Sequence, residues 1–398
     1  MKPRTVLHVD LDAFFCSVEA RLNPQLSGIP FVVGGSPRSR GVVASASYEA
    51  RRYGVRSAMP TAQAIRLCPK LIVVPPRHST YGEVSDQIVE RLRVAAPVVE
   101  QLSVDEAFLD ASDDPRPGQE IARLLKASIA EEFGLPSSWG VASNKLVAKI
   151  ATTVGKPDGL VVVPAGQEVE FLRPLPVEML WGVGPKTQAR LAELGVATIG
   201  HLAELPEEIL KSELGSHGME LAARARGEDN RPVVDAYEPR FLSGETTYPS
   251  DVSDPTILQQ TLLEISEDLG ARLRKVERAA STVRVKIRWP DFSTLTRQKR
   301  LSQPTDQDGE IYETAKALFL RLWSRGKAVR LLGVGVSELG PPSRQLQLFD
   351  RSWAEDGSLL RAVDAIRAKF GKESIQRASG MASDGKIRRE DPSEPSRR

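Results

Sequence analysis

The chain has 398 residues, 41% hydrophobic and 27% charged, a composition that supports a globular protein of roughly two to four domains. Two cysteines and four histidines without paired spacing argue against a disulfide framework or a zinc site. No signal-peptide core precedes Asp10, no apolar run approaches the ~18 residues of a membrane span, and a net charge of +2 leaves nucleic-acid affinity to local basic patches, so a cytoplasmic protein without membrane contact is expected.

In chain order, Thr5 to Val9 reads as a short buried strand running into Asp10-Leu11-Asp12, where strand geometry puts Asp10 and Asp12 on one face. Asp12 also suits a turn or a helix N-cap. Ala13 to Arg21 has helical spacing and stops at Asn23-Pro24, and Phe31 to Gly35 and Gly41 to Ser45 read as two strands of a small β-rich insertion. Ala46 to Gly54 is a short helix closed by glycine. Its Tyr48 and Arg51 fall on one face, suited to solvent or to a triphosphate gripped by a phenol and a guanidinium.

A helix from Thr80 to Ala95 leads to the most informative stretch, Glu100 to Asp110. Strand-prone Val98, Val99 and Leu102 lie on one side and Ala107, Phe108 and Leu109 on the other, with Asp105 and Glu106 in the hairpin turn between them. Like charges ~4 Å apart repel by ~4 kcal/mol at an intermediate dielectric, so the pair calls for a proton or a cation. With Asp10 in a strand alongside, three or four oxygen donors assemble, the set Mg²⁺ takes in preference to nitrogen or sulfur. That arrangement suggests two-metal phosphoryl transfer.

Gln119 to Phe133 forms another helix, Ser138 to Ala142 a further strand, and then come Lys145, Lys149 and Lys156, the last in the turn Gly155 to Gly159. From Leu175 to Leu191 a short helix, Gly182-Val183-Gly184-Pro185 and a helix beginning near Lys186 resemble a helix-hairpin-helix, whose free N–H groups bind phosphate without reading sequence. Pro232 and Glu238-Pro239 mark a linker.

Beyond it the order strand, helix, strand, strand, helix, strand between Leu242 and Ser337 is a βαββαβ unit. In its second strand Val283, Val285, Ile287 and Trp289 alternate with Arg284, Lys286 and Arg288, which makes one face apolar and the other basic. Ten Lys/Arg against two acids between Arg272 and Arg300 give that stretch a charge of +8. Gly333 and Gly335 leave bare backbone opposite the core of the last strand, as close approach to a duplex requires. Gln345-Leu346-Gln347-Leu348-Phe349 follows a Pro-Pro break, a helical pattern runs on to Phe370, and the polar end from Gly380 is expected to be disordered.

Asp10-Leu11-Asp12-Ala13-Phe14-Phe15, Tyr48-Glu49-Ala50-Arg51, Ser103-Val104-Asp105-Glu106-Ala107, Lys156-Pro157 and Gly182-Val183-Gly184 resemble, in order and spacing, the Y-family translesion DNA polymerases, with the bacterial DNA polymerase IV branch nearest. The resemblance implies an α+β right hand: palm 1–23 and 76–165, fingers 24–75, helix-hairpin-helix thumb 166–238 and βαββαβ little finger 241–340. A clamp-binding peptide 345–350, a C-terminal helix 354–379 and a tail 380–398 would follow. It implies that Asp10, Asp105 and Glu106, with the Leu11 carbonyl, hold two Mg²⁺, and that Ser45, Tyr48, Arg51 and Lys156 grip the triphosphate. Phe15 matches the steric gate under the sugar, and Phe14 the aromatic beside it.

Gly182, Gly184, Lys186, Arg284, Lys286 and Arg288 would hold primer-template DNA, and Gln345, Leu346, Leu348 and Phe349 a sliding clamp. A monomer adding dNTPs at low fidelity, without proofreading, is expected. The rivals are a palm-type nucleotidyl cyclase, which has no duplex to hold, and a clamp-bound accessory protein with a relic palm.

Overall fold

Every residue of the strand Val6–Leu11 (β1) is buried, the signature of a strand covered on both faces. The computed structural model describes residues 4–235, 239–342, 352–371 and 374–375, drawn from two units, Met1–Tyr237 and Glu238–Asp391. In the first unit β1 is followed by β2 (Phe31–Gly34), β3 (Val43–Ala46), β4 (Ile72–Val74), β5 (Val98–Gln101), β6 (Glu106–Asp110), β7 (Ser137–Ala142) and β8 (Leu160–Val162). Five of these make a sheet in the order β5-β6-β1-β7-β8, with β1 at its centre.

Strand periodicity divides this sheet cleanly. Leu7, Val9 and Leu11 of β1, with Ala107 and Leu109 of β6, enter a core with Ile88 and Leu92 of the helix His78–Ala95 and Ile121, Leu125 and Ile129 of the helix Gly118–Phe133. Val6 and Phe108 face the other way, into a core with Leu146, Val147 and Ile150 of the helix Lys145–Gly155. Asp10 and Glu106 share that second face by parity. The helix there starts at Asn144, whose side chain accepts from the Val147 N–H at 3.0 Å. It lies against the strand at Gly140 of β7, where a Cβ would come 2.0 Å from the Ala148 carbonyl oxygen and 2.7 Å from the Thr152 nitrogen. The same core runs on through Leu172, Val177, Leu191, Leu202 and Leu221 of the short helices beyond residue 166.

The strands β3-β2-β4 form a separate small sheet around Val32, Val43, Ala50, Val55 and Ala64. Strands β2 and β3 stand where the sequence pattern predicts them, whereas the three-residue β4, which pairs parallel to β2, has no pattern to mark it. The chain leaves β1 at Leu11, one residue earlier than expected, because Ala13 takes a left-handed backbone, φ 44°, to open the helix Phe14–Leu22. Asp12 is thus a turn residue and not a second acid on the strand face.

In the second unit β9 (Phe241–Val252), β10 (Ala279–Arg288), β11 (Thr294–Thr305) and β12 (Val329–Gly340) form an antiparallel sheet in the order β11-β10-β12-β9. With the helices Pro255–Lys275 and Asp308–Leu322 on one face, this is the expected βαββαβ arrangement. A further helix, Ser352–Phe370, is shorter than the expected 354–379 at its C-terminal end. It is tied to the unit by Arg274, whose buried guanidinium reaches Asp308 at 2.8 Å and Asp364 at 2.6 Å, and by an Arg367–Glu267 pair at 3.0 Å. The segment Gln345 to Phe349 and the end from Gly380 lie outside the described residues.

Gly140→Ala is expected to cost about 3 kcal/mol in a urea titration, the upper range for overpacking, because both contacting atoms are backbone of the facing helix. A loss under about 0.5 kcal/mol would contradict this close approach.

Candidate active site

Antiparallel pairing sets Asp10 directly across from Glu106, and the Leu11 N–H donates to the Asp105 carbonyl at 2.9 Å, which locks that register where the two strands end. Both carboxylates are compensated from the helix side. Lys149 donates to Glu106 Oε2 at 2.7 Å, and Lys156 meets Asp10 Oδ2 at 2.5 Å. Burial pushes the Asp10 carboxyl up to about 7 against the pull of Lys156, and a hydrogen bond joins it to Glu106. Burial also works to raise Glu106, but the bond to Asp10 and the Lys149 ammonium hold it below the usual carboxylate range. The pair is therefore biased toward keeping a proton on Asp10 while Glu106 stays ionised.

His8, on the same face, is kept neutral by burial and then by Lys149, with its pKa lowered to about 3. Its Nδ1 lies 2.9 Å from Thr152 Oγ1.

Asp105 follows Asp10 and Glu106 only in its backbone. Its side chain accepts from Ser103 Oγ at 2.5 Å, and the same hydroxyl accepts from the Glu106 N–H at 3.1 Å, a local turn network that draws Asp105 aside. Among the described residues no three acidic, histidine or cysteine side chains converge on one point. What converges is two carboxylates, oxygen donors neutralised by two ammonium groups, a set that fits a hard divalent cation.

Asp12 lies beside this centre as a buried acceptor, taking Tyr48 Oη at 2.9 Å, Ser138 Oγ at 2.8 Å and the Asp158 N–H at 2.8 Å. Tyr48 is the first residue of the one-turn helix Tyr48–Arg51, capped by Ser47. Burial and then Asp12 hold its phenol well above the ordinary range, so it stays protonated as a donor. Arg51 lies 4.8 Å over the Tyr48 ring, with Nε on the Ala46 carbonyl at 3.0 Å. Tyr48, Arg51 and Lys156 are therefore gathered around the acidic pair through Asp12 and Asp10.

Ser45 and Phe14 turn out differently. Ser45 is buried in β3 beside the Cys16 thiol, and Phe14 is 3% exposed in the sheet core. The Phe14 ring supports its neighbours and leaves Phe15, which is half-buried, as the aromatic at the surface of the site.

The hairpin expected between Leu175 and Leu191 is a 3-10 turn, Val177–Met179, followed by the helix Pro185–Glu193. Gly182, at φ 108°, has its carbonyl 3.1 Å from His217 Nε2, while Arg224 donates to the Trp181 carbonyl at 2.9 Å. Gly184 and Lys186 are exposed. In the second unit Val283, Val285 and Ile287 are buried while Arg284, Lys286 and Arg288 face outward. Arg284 and Lys286 stand beside Gly335 and Gly333 of β12, lining a shallow groove with Ser243 and Glu245. Arg274, which the sequence reading counted in the basic stretch, is instead buried between Asp308 and Asp364.

Three family models match the chain: the impB/mucB/samB family over residues 9–153, the C-terminal domain of that family over 239–348, and the IMS family HHH motif over 169–196. The DNA polymerase IV of Dehalococcoides mccartyi strain CBDB1 is 43% identical over 94% of this chain and 97% of its own length. The chain belongs to the Y family of DNA polymerases. A second DNA polymerase IV, from Desulfatibacillum aliphaticivorans, is 42% identical over 95% of this chain and 97% of its own length. A solved Y-family DNA polymerase chimera of Dbh and Dpo4 superposes with a TM-score of 0.76 at 29% identity, covering 85% of this chain and 99% of that one. Y-family membership makes the protein a translesion DNA-directed DNA polymerase that depends on a divalent metal, and sets aside the cyclase and accessory readings.

Lys149 is the residue of this Y-family site that sequence reasoning named and left without a role. The usable signal was its four-residue spacing from Lys145 on an otherwise apolar helix. Lys145 itself spends its charge elsewhere, on Glu100 at 2.6 Å.

A carboxyl raised from 3.8 to about 7 costs stability as pH climbs, because the folded state holds a proton the unfolded chain releases. In metal-free buffer the stability advantage of Asp10→Asn over the parent should therefore open between pH 4 and 7 and stay level above. Melting curves that run parallel through that window would contradict the assignment.

Proposed function

We propose that Asp10, Glu106 and Asp105, with the Leu11 carbonyl, hold two Mg²⁺ ions for nucleotidyl transfer to a primer 3′-OH. The observation that carries this reading is the cross-strand placement of Asp10 and Glu106, compensated by two lysine ammonium groups. When bound, the ions lower the pKa of the 3′-OH and neutralise the pyrophosphate leaving group. Tyr48, Arg51 and Lys156 bind and orient the triphosphate, the phenol as a donor and the two cations as fixed charge. Ser45 shapes the wall behind them and Phe14 the floor, while Phe15 lies under the sugar and excludes a 2′-OH.

Gly182, Gly184 and Lys186 contact the duplex backbone, and Arg284, Lys286 and Arg288 do so from the little finger. Gln345, Leu346, Leu348 and Phe349 dock on a sliding clamp, and the enzyme acts as a cytoplasmic monomer. The domain reading of palm, fingers, thumb and little finger draws support from the small core of residues 32–68 and the core of the second unit, while the residues read as palm and thumb share one core.

One paired experiment separates chemistry from binding. Glu106→Ala is expected to abolish Mg²⁺-dependent primer extension while DNA affinity stays near the parent value. The triple substitution of Arg284, Lys286 and Arg288 by alanine should weaken binding to all sequences alike and flatten its salt dependence. Extension that survives Glu106→Ala, or an unchanged salt slope in the triple variant, would overturn the corresponding assignment.

A further inference from the structure

Beneath Phe15 lies a buried layer that the assignments above leave unused. The Phe15 ring rests flat on Tyr81, centroids 4.3 Å apart and planes 16° apart, with His78 edge-on at 6.0 Å. Tyr81 is fully buried, and its hydroxyl donates to Glu19 Oε1 at 2.6 Å. The same oxygen accepts from Arg77 Nε at 2.9 Å, and Arg77 Nη2 holds Oε2. The contacts follow from two helical repeats facing each other. Phe15 and Glu19 are four apart on the helix Phe14–Leu22, and Arg77 and Tyr81 are four apart at the start of the helix His78–Ala95.

A buried carboxylate is an expensive way to join two helices, since an apolar set of similar volume holds them as well. Its use lies in direction. Two flat, near-parallel rings can slide over one another with little change in contact, and the hydroxyl bond is what fixes the Tyr81 ring along its own axis. We propose that Glu19 is a positioning residue for sugar selection, acting through the Tyr81 hydroxyl to fix the surface on which Phe15 rests. This inference rests on the reading of Phe15 as the ring beneath the nucleotide sugar. A Phe15 ring free to drift by a fraction of its width opens room for a 2′-OH without vacating the site.

The test compares dNTP and rNTP insertion (kcat/KM) and melting temperature for the full chain and for Phe15→Ala, Tyr81→Phe and Glu19→Gln. Tyr81→Phe keeps the ring and removes the tether. It is expected to lower the preference for dNTP over rNTP by about tenfold, the order of one lost buried hydrogen bond, while melting no lower than Glu19→Gln. Glu19→Gln places its carbonyl where Oε1 stands and keeps both bonds there, losing only the Arg77 Nη2 contact. It should therefore melt lower than the parent yet retain the sugar preference.

A Tyr81→Phe enzyme with unchanged preference, beside a relaxed Phe15→Ala, overturns the positioning role and leaves the gate standing. Unchanged preference in both removes the gate reading and this inference with it. A Glu19→Gln preference that falls in step with melting temperature reassigns the layer to plain stability.

Discussion

Two carboxylates on adjacent strands, Asp10 opposite Glu106, impose the constraint that organises the five-stranded sheet. The two cannot lie side by side half-buried and ionised without compensation, and the fold answers with two lysines, while burial raises the Asp10 carboxyl. The neighbouring elements follow from that demand. Strand parity sends both acids to the face of the helix Lys145–Gly155, and only a glycine at position 140 lets that helix come close enough for Lys149 to reach Glu106. Lys156, the residue after that helix, reaches Asp10.

The opposite side of the same strand has a different task. Leu7, Val9 and Leu11 lead into the apolar core and, through Phe14, to the aromatic layer of Phe15 and Tyr81. One six-residue strand thus carries Asp10 on one face and the hydrophobic support of the Phe15–Tyr81 layer on the other. Asp12, just past its end, joins the two sides by fixing Tyr48.

Much of this was legible in the chain. Asp105-Glu106 stood out because two acids between apolar strands have no inexpensive use, and β10 because its cations alternate strictly with buried residues. What the pattern alone left open depended on tertiary proximity. Asp12 and Asp10 look alike in a strand pattern until Ala13 turns the chain, and Phe14 and Phe15 look alike until one ring meets the core. Arg274 adds to a basic stretch on paper, whereas its helix points it between two aspartates. Lys149 is one lysine among several until Gly140 brings it to Glu106, and β4 is too short for its pattern to register.

The most direct test of the central claim is where a divalent ion sits. In crystals of the enzyme with primer-template, a non-reactive dNTP analogue and Mn²⁺, anomalous scattering should place the metal between Asp10 and Glu106, with the Lys149 and Lys156 ammonium groups withdrawn from both carboxylates. Manganese bound elsewhere, with the two lysine pairs intact, would contradict the reading of the acidic pair as the metal site.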